Sequence, residues 1–236
     1  MQIDILTLFP EMFAPLYSSI PARAQASGKV RVNLYHLRDY APSPHHQVDD
    51  TPYGGGPGMV LKPEPLAAGI RAICDSDNAV KPFIIYLSPQ GRTLTQKLAE
   101  ELAQKPRLLF VCGHYEGIDE RIIEKYVDME LSIGDYVLSN GELGAMVVSD
   151  TVIRLLDGVI ARDSAAQESF STGLLDYPQY TKPENFEGLN VPQELTSGHH
   201  RLIDEWRQEQ ALNATQRKRP DLFEQYQREH GKDNST

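Results

Sequence analysis

Short apolar runs alternate with amphipathic stretches through the first 160 residues of the chain. Helical periodicity occurs at 94–103, 118–126 and 142–156, and the last stretch places Leu143, Met146, Val147 and Ile153 on one face. The apolar runs predict β-strands at residues 3–9, 30–37, 83–87, 108–112 and 129–132. Strands that alternate with helices predict an α/β domain with a mostly parallel sheet.

The pattern changes after residue 157. Between 158 and 192, Pro178, Pro183 and Pro192 interrupt any regular periodicity. Helical periodicity returns at 202–212 and 222–228. These features predict a first domain at 1–160, a flexible linker at 161–178 and a small all-α C-terminal domain at 179–236.

The composition is that of an ordinary globular protein, with 40% hydrophobic and 24% charged residues in a chain of 236. No apolar run approaches the roughly 20 residues that a membrane span needs. Asp4 stands where an export signal carries basic residues. The two cysteines, Cys74 and Cys112, cannot form a disulfide framework. We therefore expect a cytoplasmic protein that does not bind membranes.

The net charge of −10 disfavours indiscriminate binding to nucleic acid, because a uniformly acidic surface repels phosphates. Salt screens charges beyond about 8 Å, however, so a local basic patch can govern contact whatever the total charge is. Arg217, Lys218 and Arg219 form such a cluster. The composition permits RNA as a partner without predicting it.

Three glycine-rich segments follow predicted strands, at 88–92, 112–119 and 132–142. Each could be a simple turn, but ligands of open α/β sheets bind beyond the carboxyl ends of the strands. Together the three segments predict a shared pocket. None matches a dinucleotide fingerprint or a phosphate-binding loop. A fourth segment, 49–59, is predicted either as a mobile surface loop or as a lid that meets a substrate.

The same segments resemble a known family. The motifs are DDTPYGGGPGM at 49–59, LSPQGR at 87–92, CGHYEGIDER at 112–121, SIGDYVLSNGEL at 132–143, GLLDYP at 173–178, SGHH at 197–200 and RPDL at 219–222. In this order they resemble the bacterial tRNA (guanine-N1)-methyltransferases of the SPOUT trefoil-knot class, the TrmD family. The resemblance extends over nearly the whole chain.

The resemblance implies a trefoil-knotted α/β domain, a linker and a helical tRNA-binding domain. It also implies a homodimer with its active site at the subunit interface. The implied reaction transfers a methyl group from S-adenosylmethionine to N1 of the guanosine immediately 3′ of the anticodon, position 37 of the tRNA. Magnesium is an implied auxiliary ion, but the sequence shows no protein ligand cage for it.

The resemblance also assigns candidate site residues. Glu168 is the implied general base, Arg154 stabilises the negative charge that develops on O6 of the guanine, and Asp176 holds the edge of the guanine. The implied cofactor contacts are the backbone-lined set Gly113, Ile133, Gly134, Asp135, Tyr136, Val137 and Leu138, with Ser88, Pro89, Glu116 and Gly141 nearby.

Three positions depart from the pattern of many members. Glu168 stands in place of Asp, Gly144 in place of Pro and His114 in place of Arg. Cys112 is expected to be a packed thiol rather than a nucleophile. Two alternatives stay open, a non-catalytic RNA-binding module that retains the cofactor pocket, and a knotted methyltransferase that acts on another RNA.

Overall fold

A computed structural model describes residues 1–42, 44–76, 80–161 and 168–230. The chain divides into two compact units, Met1–Ile160 and Ala161–Thr236. Residues 162–167 of the predicted linker and residues 231–236 of the predicted helical domain lie outside the described residues. Whether 161–178 acts as a linker stays a prediction.

The first unit contains a parallel sheet whose described strands follow the order β2-β1-β6-β5-β7. The strands of this unit are β1 (Gln2–Thr7), β2 (Arg31–His36), β3 (Asp49–Asp50), β4 (Val60–Leu61), β5 (Phe83–Thr93), β6 (Arg107–Cys112) and β7 (Met129–Ser132). β3 and β4 form a separate antiparallel pair. All five predicted strands are confirmed, and they form the parallel sheet of an α/β fold.

Helices cover both faces of this sheet. They are α1 (Ser19–Ala26), α2 (Pro63–Asp75), α3 (Gln96–Ala103), α4 (Glu120–Tyr126) and α5 (Glu142–Arg154), with 3₁₀ helices at Pro10–Tyr17 and Leu37–Tyr40. Alternate residues of β6 enter different cores: Leu108 and Phe110 pack with α1, α3 and α5, whereas Leu109 and Val111 pack with α2 and α4. Burial on both faces explains why the strands are continuous apolar runs.

The helix α5 turns a different face to the core from the one that the periodicity predicted. Leu143 and Val147 are 43% and 45% exposed, whereas Ala145, Val148 and Val152 are fully buried. The core-facing positions predicted from the sequence are therefore wrong for Leu143 and Val147.

A buried ion pair connects the N-terminal ends of the central strands. The Nε of Arg107, on β6, donates to Asp4 on β1 at 2.7 Å, and both side chains are almost completely buried. The guanidinium also donates to the carbonyl of Ile73 at 2.7 Å, at the end of α2. Asn33 on β2 donates to Asp4 at 2.8 Å. One side-chain network thus joins three strands and a helix.

The second unit is mainly helical. Its described helices are α6 (Gln193–Thr196), α7 (His200–Lys218) and α8 (Pro220–His230), and they follow a hairpin of β8 (Asn185–Phe186) and β9 (Leu189–Asn190). This short hairpin corrects the prediction of an all-α domain. Its turn contains Glu187 and Gly188, both with positive φ, a backbone conformation that favours a tight reversal.

A hydrogen bond and a group of aromatic rings connect the segments of this second unit. Thr215 Oγ1 on α7 accepts a hydrogen bond from the backbone N–H of Leu175 at 2.9 Å. The Trp206 ring contacts Tyr177 and Tyr180 edge-on. The segment that follows residue 173 is thereby attached to α7. Among the described residues of the whole chain, no helix is both long and apolar enough to cross a bilayer.

Candidate functional site

A cleft lies beyond the carboxyl ends of β6 and β7 and beside β5, where the three glycine-rich segments meet. Segment 88–92, predicted to follow a strand, is part of β5, and the other walls come from the loops after β6 and β7 and from the start of α5. The lining residues are Tyr86, Leu87, Ser88, Pro89, Gly113, His114, Tyr115, Glu116, Gly117, Leu131, Ser132, Ile133, Gly134, Tyr136, Val137, Leu138, Ser139, Asn140, Gly141 and Gly144. The predicted shared pocket therefore exists as a surface feature of the first unit.

Glycines allow the loops to approach one another at the floor of this cleft. A Cβ on Gly141 would lie 3.0 Å from the Cα of Cys112 and from the N of Gly113. The Gly141 N–H donates to the Gly113 carbonyl at 2.9 Å. The loop after β7 therefore crosses back over the end of β6, and a side chain at residue 141 would crowd the backbone of residues 112 and 113.

Two buried serines fix the backbone of the cleft wall. The Ser88 hydroxyl accepts from the N–H of Gln90 at 3.1 Å. The Ser132 hydroxyl donates to the Gly134 carbonyl at 3.0 Å and accepts from the Gly134 N–H at 3.1 Å. Because these bonds form within the protein, the wall is ordered before a ligand enters.

Of the eleven predicted cofactor residues, ten line this cleft. Asp135 is exposed and is not among the lining residues, although its neighbours on both sides are. The structure thus brings together Gly113, Ile133, Gly134, Tyr136, Val137, Leu138, Ser88, Pro89, Glu116 and Gly141. Their contacts with a cofactor stay a prediction.

The sequence did not predict that Tyr86 lines the cleft. This residue lies on β5 inside an apolar run, outside the glycine-rich segments from which the pocket was predicted. Its ring lies against Gly113, where a Cβ would meet the hydroxyl at 2.9 Å. Burial, with a smaller effect of Glu130, raises the pKa of Tyr86 to about 12. The phenol is therefore neutral at physiological pH and forms a wall of the cleft.

The charges of the cleft indicate which ligands it can accept. None of the described lining residues is Lys or Arg, and the charged side chain among them is the exposed carboxylate of Glu116. A carboxylate repels a phosphate, and no lysine or arginine among these residues offsets it. The cleft is suited to a ligand that is uncharged or cationic rather than to a nucleotide phosphate.

The fourth segment, 49–59, contacts the cleft at its C-terminal end, through Gly58 and Met59. A Cβ on Gly58 would overlap the Glu116 side chain, and the N–H of Glu116 donates to the Met59 carbonyl at 3.0 Å. Tyr53, at the other end of the segment, is fully exposed. The C-terminal end of the segment is therefore held beside the cleft by Glu116, and its action as a lid stays a prediction.

We expect Gly91→Ala to disrupt the cleft. A Cβ there would lie 2.3 Å from the backbone C of Glu130 and the N of Leu131, so β5 and β7 must separate. Overpacking of this kind costs about 1–3 kcal/mol of stability. Thermal unfolding and ligand titration would measure both effects. Gln90→Ala changes an exposed side chain in the same part of β5 and should behave like the wild type.

The three predicted catalytic residues occupy both units. Arg154 is the last residue of α5 in the first unit. In the second unit, the Glu168 carbonyl accepts from the Ser171 hydroxyl at 2.6 Å. The Asp176 carboxylate accepts from the Tyr177 N–H at 2.8 Å and from Gln179 at 3.1 Å. Asp176 therefore stabilises a turn, and its contact with a guanine stays a prediction.

Comparison with known proteins identifies the family of this chain. The family described as tRNA (Guanine-1)-methyltransferase TrmD matches residues 1–225. The chain belongs to this family. It is accordingly a methyltransferase, and the family resemblance drawn from its loop motifs is confirmed.

Proteins named tRNA (guanine-N(1)-)-methyltransferase are similar to this chain throughout. The protein of Macrococcus caseolyticus is 53% identical over 226 residues, which cover 96% of this chain and 93% of that protein. That of Carboxydothermus hydrogenoformans is 54% identical over 225 residues, 94% and 87% of the two chains. That of Chloroflexus aggregans is 55% identical over 224 residues, 94% and 88%.

Two other side-chain predictions concern cysteine and metal. Cys112 is buried, and burial together with the nearby Glu142 raises the pKa of its thiol well above the usual value. The thiol is a core residue, as predicted, and not an activated nucleophile. Within the described part of the chain, no group of three or more His, Cys, Asp or Glu side chains is arranged to hold a metal ion.

Proposed function

We propose that this enzyme transfers a methyl group from S-adenosylmethionine to N1 of the guanosine immediately 3′ of the anticodon, position 37 of tRNA, in the cytoplasm. The observation that carries the proposal is the cleft, in which ten predicted cofactor residues converge in a chain of the TrmD family. Free thiols at Cys74 and Cys112 accord with a reducing compartment.

The cleft fits S-adenosylmethionine in shape and charge. Narrow approaches at Gly113 and Gly141 leave backbone against the ligand, and backbone amides and carbonyls can read an adenine edge. Glu116 supplies one carboxylate and no lining residue is a cation, which suits a sulfonium. When bound, S-adenosylmethionine supplies the methyl group and its sulfur leaves as a neutral thioether.

Glu168 acts as the general base in this proposal. N1 of guanine carries a proton at neutral pH, and the carboxylate accepts that proton while N1 forms its new bond to carbon. Negative charge that develops on O6 of the guanine as N1 loses its proton is stabilised by the Arg154 guanidinium, and Asp176 accepts from the N–H donors of the guanine edge. Magnesium, which the resemblance implies as an auxiliary ion, has no ligand group among the described residues.

The proposal includes a homodimer with its active site at the subunit interface, as the family resemblance implies. Leu143 and Val147 support this assembly, since they are two neighbouring apolar side chains left half-exposed on α5. The proposal includes a trefoil knot in the first unit, which the crossing of residue 141 over the end of β6 supports.

The reaction is tested by methyl transfer from labelled S-adenosylmethionine to two tRNA transcripts that differ only by G or A immediately 3′ of the anticodon. We expect incorporation into the G transcript alone. Equal incorporation into both would overturn the position. Incorporation only into other RNA would favour a different RNA substrate, and cofactor binding without any incorporation would favour a non-catalytic RNA-binding module.

We also propose that the second unit binds tRNA through Arg217 and Lys218. Both side chains are exposed at the end of α7, whereas Arg219 is paired with Asp221. Replacing Arg217 and Lys218 by Gln should weaken tRNA binding and reduce the slope of log K against log salt by about 2. Filter binding at several salt concentrations measures the slope. An unchanged slope would place the RNA surface elsewhere.

A further inference from the structure

The 168–176 loop of the second unit carries two of the residues proposed for the reaction, Glu168 at its start and Asp176 at its end. The loop is closed by its own hydrogen bonds. The Asp176 N–H donates to the Ser169 hydroxyl at 2.9 Å, and the Ser171 hydroxyl donates to the Glu168 carbonyl at 2.6 Å. The proposed base and the proposed guanine contact therefore belong to one hydrogen-bonded piece of backbone.

Thr215 attaches this loop to α7. Its hydroxyl accepts from the Leu175 N–H at 2.9 Å and donates to the Ala211 carbonyl, one helical turn earlier, at 2.7 Å. Thr215 is completely buried, and Leu174, which precedes Leu175 in the loop, is buried as well. A threonine within a helix can satisfy its hydroxyl with the carbonyl four residues earlier. The additional bond from Leu175, 40 positions away in the chain, makes the same hydroxyl a connection between helix and loop.

The end of the loop has a second attachment to α7, which is aromatic. The rings of Tyr177 and Trp206 meet edge-on with their centroids 6.4 Å apart, and the Arg207 guanidinium lies 5.0 Å from the Tyr177 centroid. Trp206 and Arg207 both precede Thr215 on the helix. If the hydroxyl of Thr215 were lost, these contacts would still hold the loop near α7. Its loss should therefore shift the loop without detaching it.

Thr215 also lies in the part of α7 that carries the proposed tRNA-binding cations. Arg217 and Lys218 are exposed in the turn that follows it, and the Arg219 N–H donates to the Thr215 carbonyl at 2.8 Å. The side chain of Thr215 thus holds the loop, while its backbone forms part of the turn that presents the two cations.

We propose that Thr215 is a positioning residue that sets the 168–176 loop on the tRNA-binding end of α7. The two cations and the two carboxylates of the loop then form one rigid element, so that a tRNA held by its phosphates meets the carboxylates in a fixed place. A displacement of about 1 Å in a reacting group can reduce a rate by as much as about 10²-fold. The proposal rests on the proposed function and adds which residue of α7 orients the carboxylates.

Thr215→Val and Thr215→Ser test the hydroxyl in the full-length enzyme. Valine keeps the volume of threonine but cannot accept from the Leu175 N–H, whereas serine keeps the hydroxyl and loses one methyl group. Single-turnover methylation of tRNA, at saturating tRNA and S-adenosylmethionine, should slow about tenfold in Thr215→Val, since a partly buried N–H is left without its acceptor. Thr215→Ser should react at nearly the wild-type rate.

Binding and hydrogen exchange separate positioning from a loss of stability. Thr215→Val should bind tRNA with the affinity and salt slope of the wild type, because both cations are retained. Its affinity for S-adenosylmethionine should also be unchanged, because the cleft belongs to the first unit. Exchange of the backbone amides across the 168–176 loop should be faster in Thr215→Val and normal in Thr215→Ser. A merely structural role would lower the unfolding temperature and leave the rate at saturation unchanged.

The second unit offers a matched control. Thr196→Val makes the same substitution at an exposed position, where the hydroxyl donates to the Gln193 carbonyl at 3.1 Å, and it should react like the wild type. If Thr215→Val does not fold, Thr215→Ala takes its place, because alanine and serine differ by the hydroxyl alone.

Two results would overturn this role of Thr215. One is a Thr215→Val enzyme, or its alanine replacement, that methylates tRNA at the wild-type rate. The other is a Thr215→Ser enzyme as slow as Thr215→Val, which would assign the effect to packing of the methyl group. A wild type that transfers no methyl group to tRNA would instead overturn the proposed function, and the role of Thr215 with it.

Discussion

Glu168→Gln is expected to reduce methyl transfer by about 10²–10⁴-fold, the usual contribution of a positioned general base. The carboxamide has nearly the same size and can still hydrogen bond, but it cannot take the proton from N1. The backbone of this turn is ordered by Ser171, whose hydroxyl donates to the Glu168 carbonyl, and this bond is unaffected by the change. Single-turnover methylation of a tRNA transcript measures the rate, and calorimetry should show unchanged affinity for S-adenosylmethionine.

Two further variants make the result specific. Glu168→Asp keeps a carboxylate, and many members of the family carry Asp there, so it should retain much of the activity. Glu184→Gln changes an exposed acid of the same unit and should leave the rate unchanged. A Glu168→Gln enzyme with a near-normal rate would remove Glu168 as the base and direct the search to another acceptor.

The sheet could be predicted from the sequence because its strands are buried on both faces. A strand such as β6, buried along its whole length, has no polar alternation and reads as a plain apolar run. The helix α2 was missed, although Pro63 at its start is a recognised helix signal. The exposed face of α5 was misread because Leu143 and Val147 are as apolar as core residues, and hydrophobicity alone does not say which apolar face meets the sheet.

The cleft could be predicted because its glycines are visible in the sequence. Gly113 and Gly141 stand where neighbouring segments approach within van der Waals distance, and glycine is the residue that such approaches favour. The burial of Glu142 at the start of α5 could not be predicted. Its carboxylate accepts from Thr7, which lies 135 residues away along the chain, whereas an acid at the start of a helix is ordinarily explained by the helix dipole alone.

The second large effect is expected for Arg107→Met, which should destabilise the first unit by about 3–5 kcal/mol, because it leaves the buried carboxylate of Asp4 without its ion pair. Asn33 still donates to Asp4, but among the described residues no other cation forms an ion pair with this carboxylate. The Ile73 carbonyl at the end of α2 also loses its donor. Urea unfolding followed by circular dichroism measures the loss, and hydrogen exchange should show faster opening of β1 and β6.

The chain offers a matched control for this change. Arg31 on β2 and Arg107 on β6 lie opposite Gln2 on either side of β1, but Arg31 is exposed. Arg31→Met should therefore cost no more than about 0.5 kcal/mol. Adding Asp4→Asn to Arg107→Met removes the unpaired charge and should recover part of the loss, since burying a neutral amide costs less than burying an ion. Equal effects of the two arginine changes would show that the buried pair contributes no more than a surface residue.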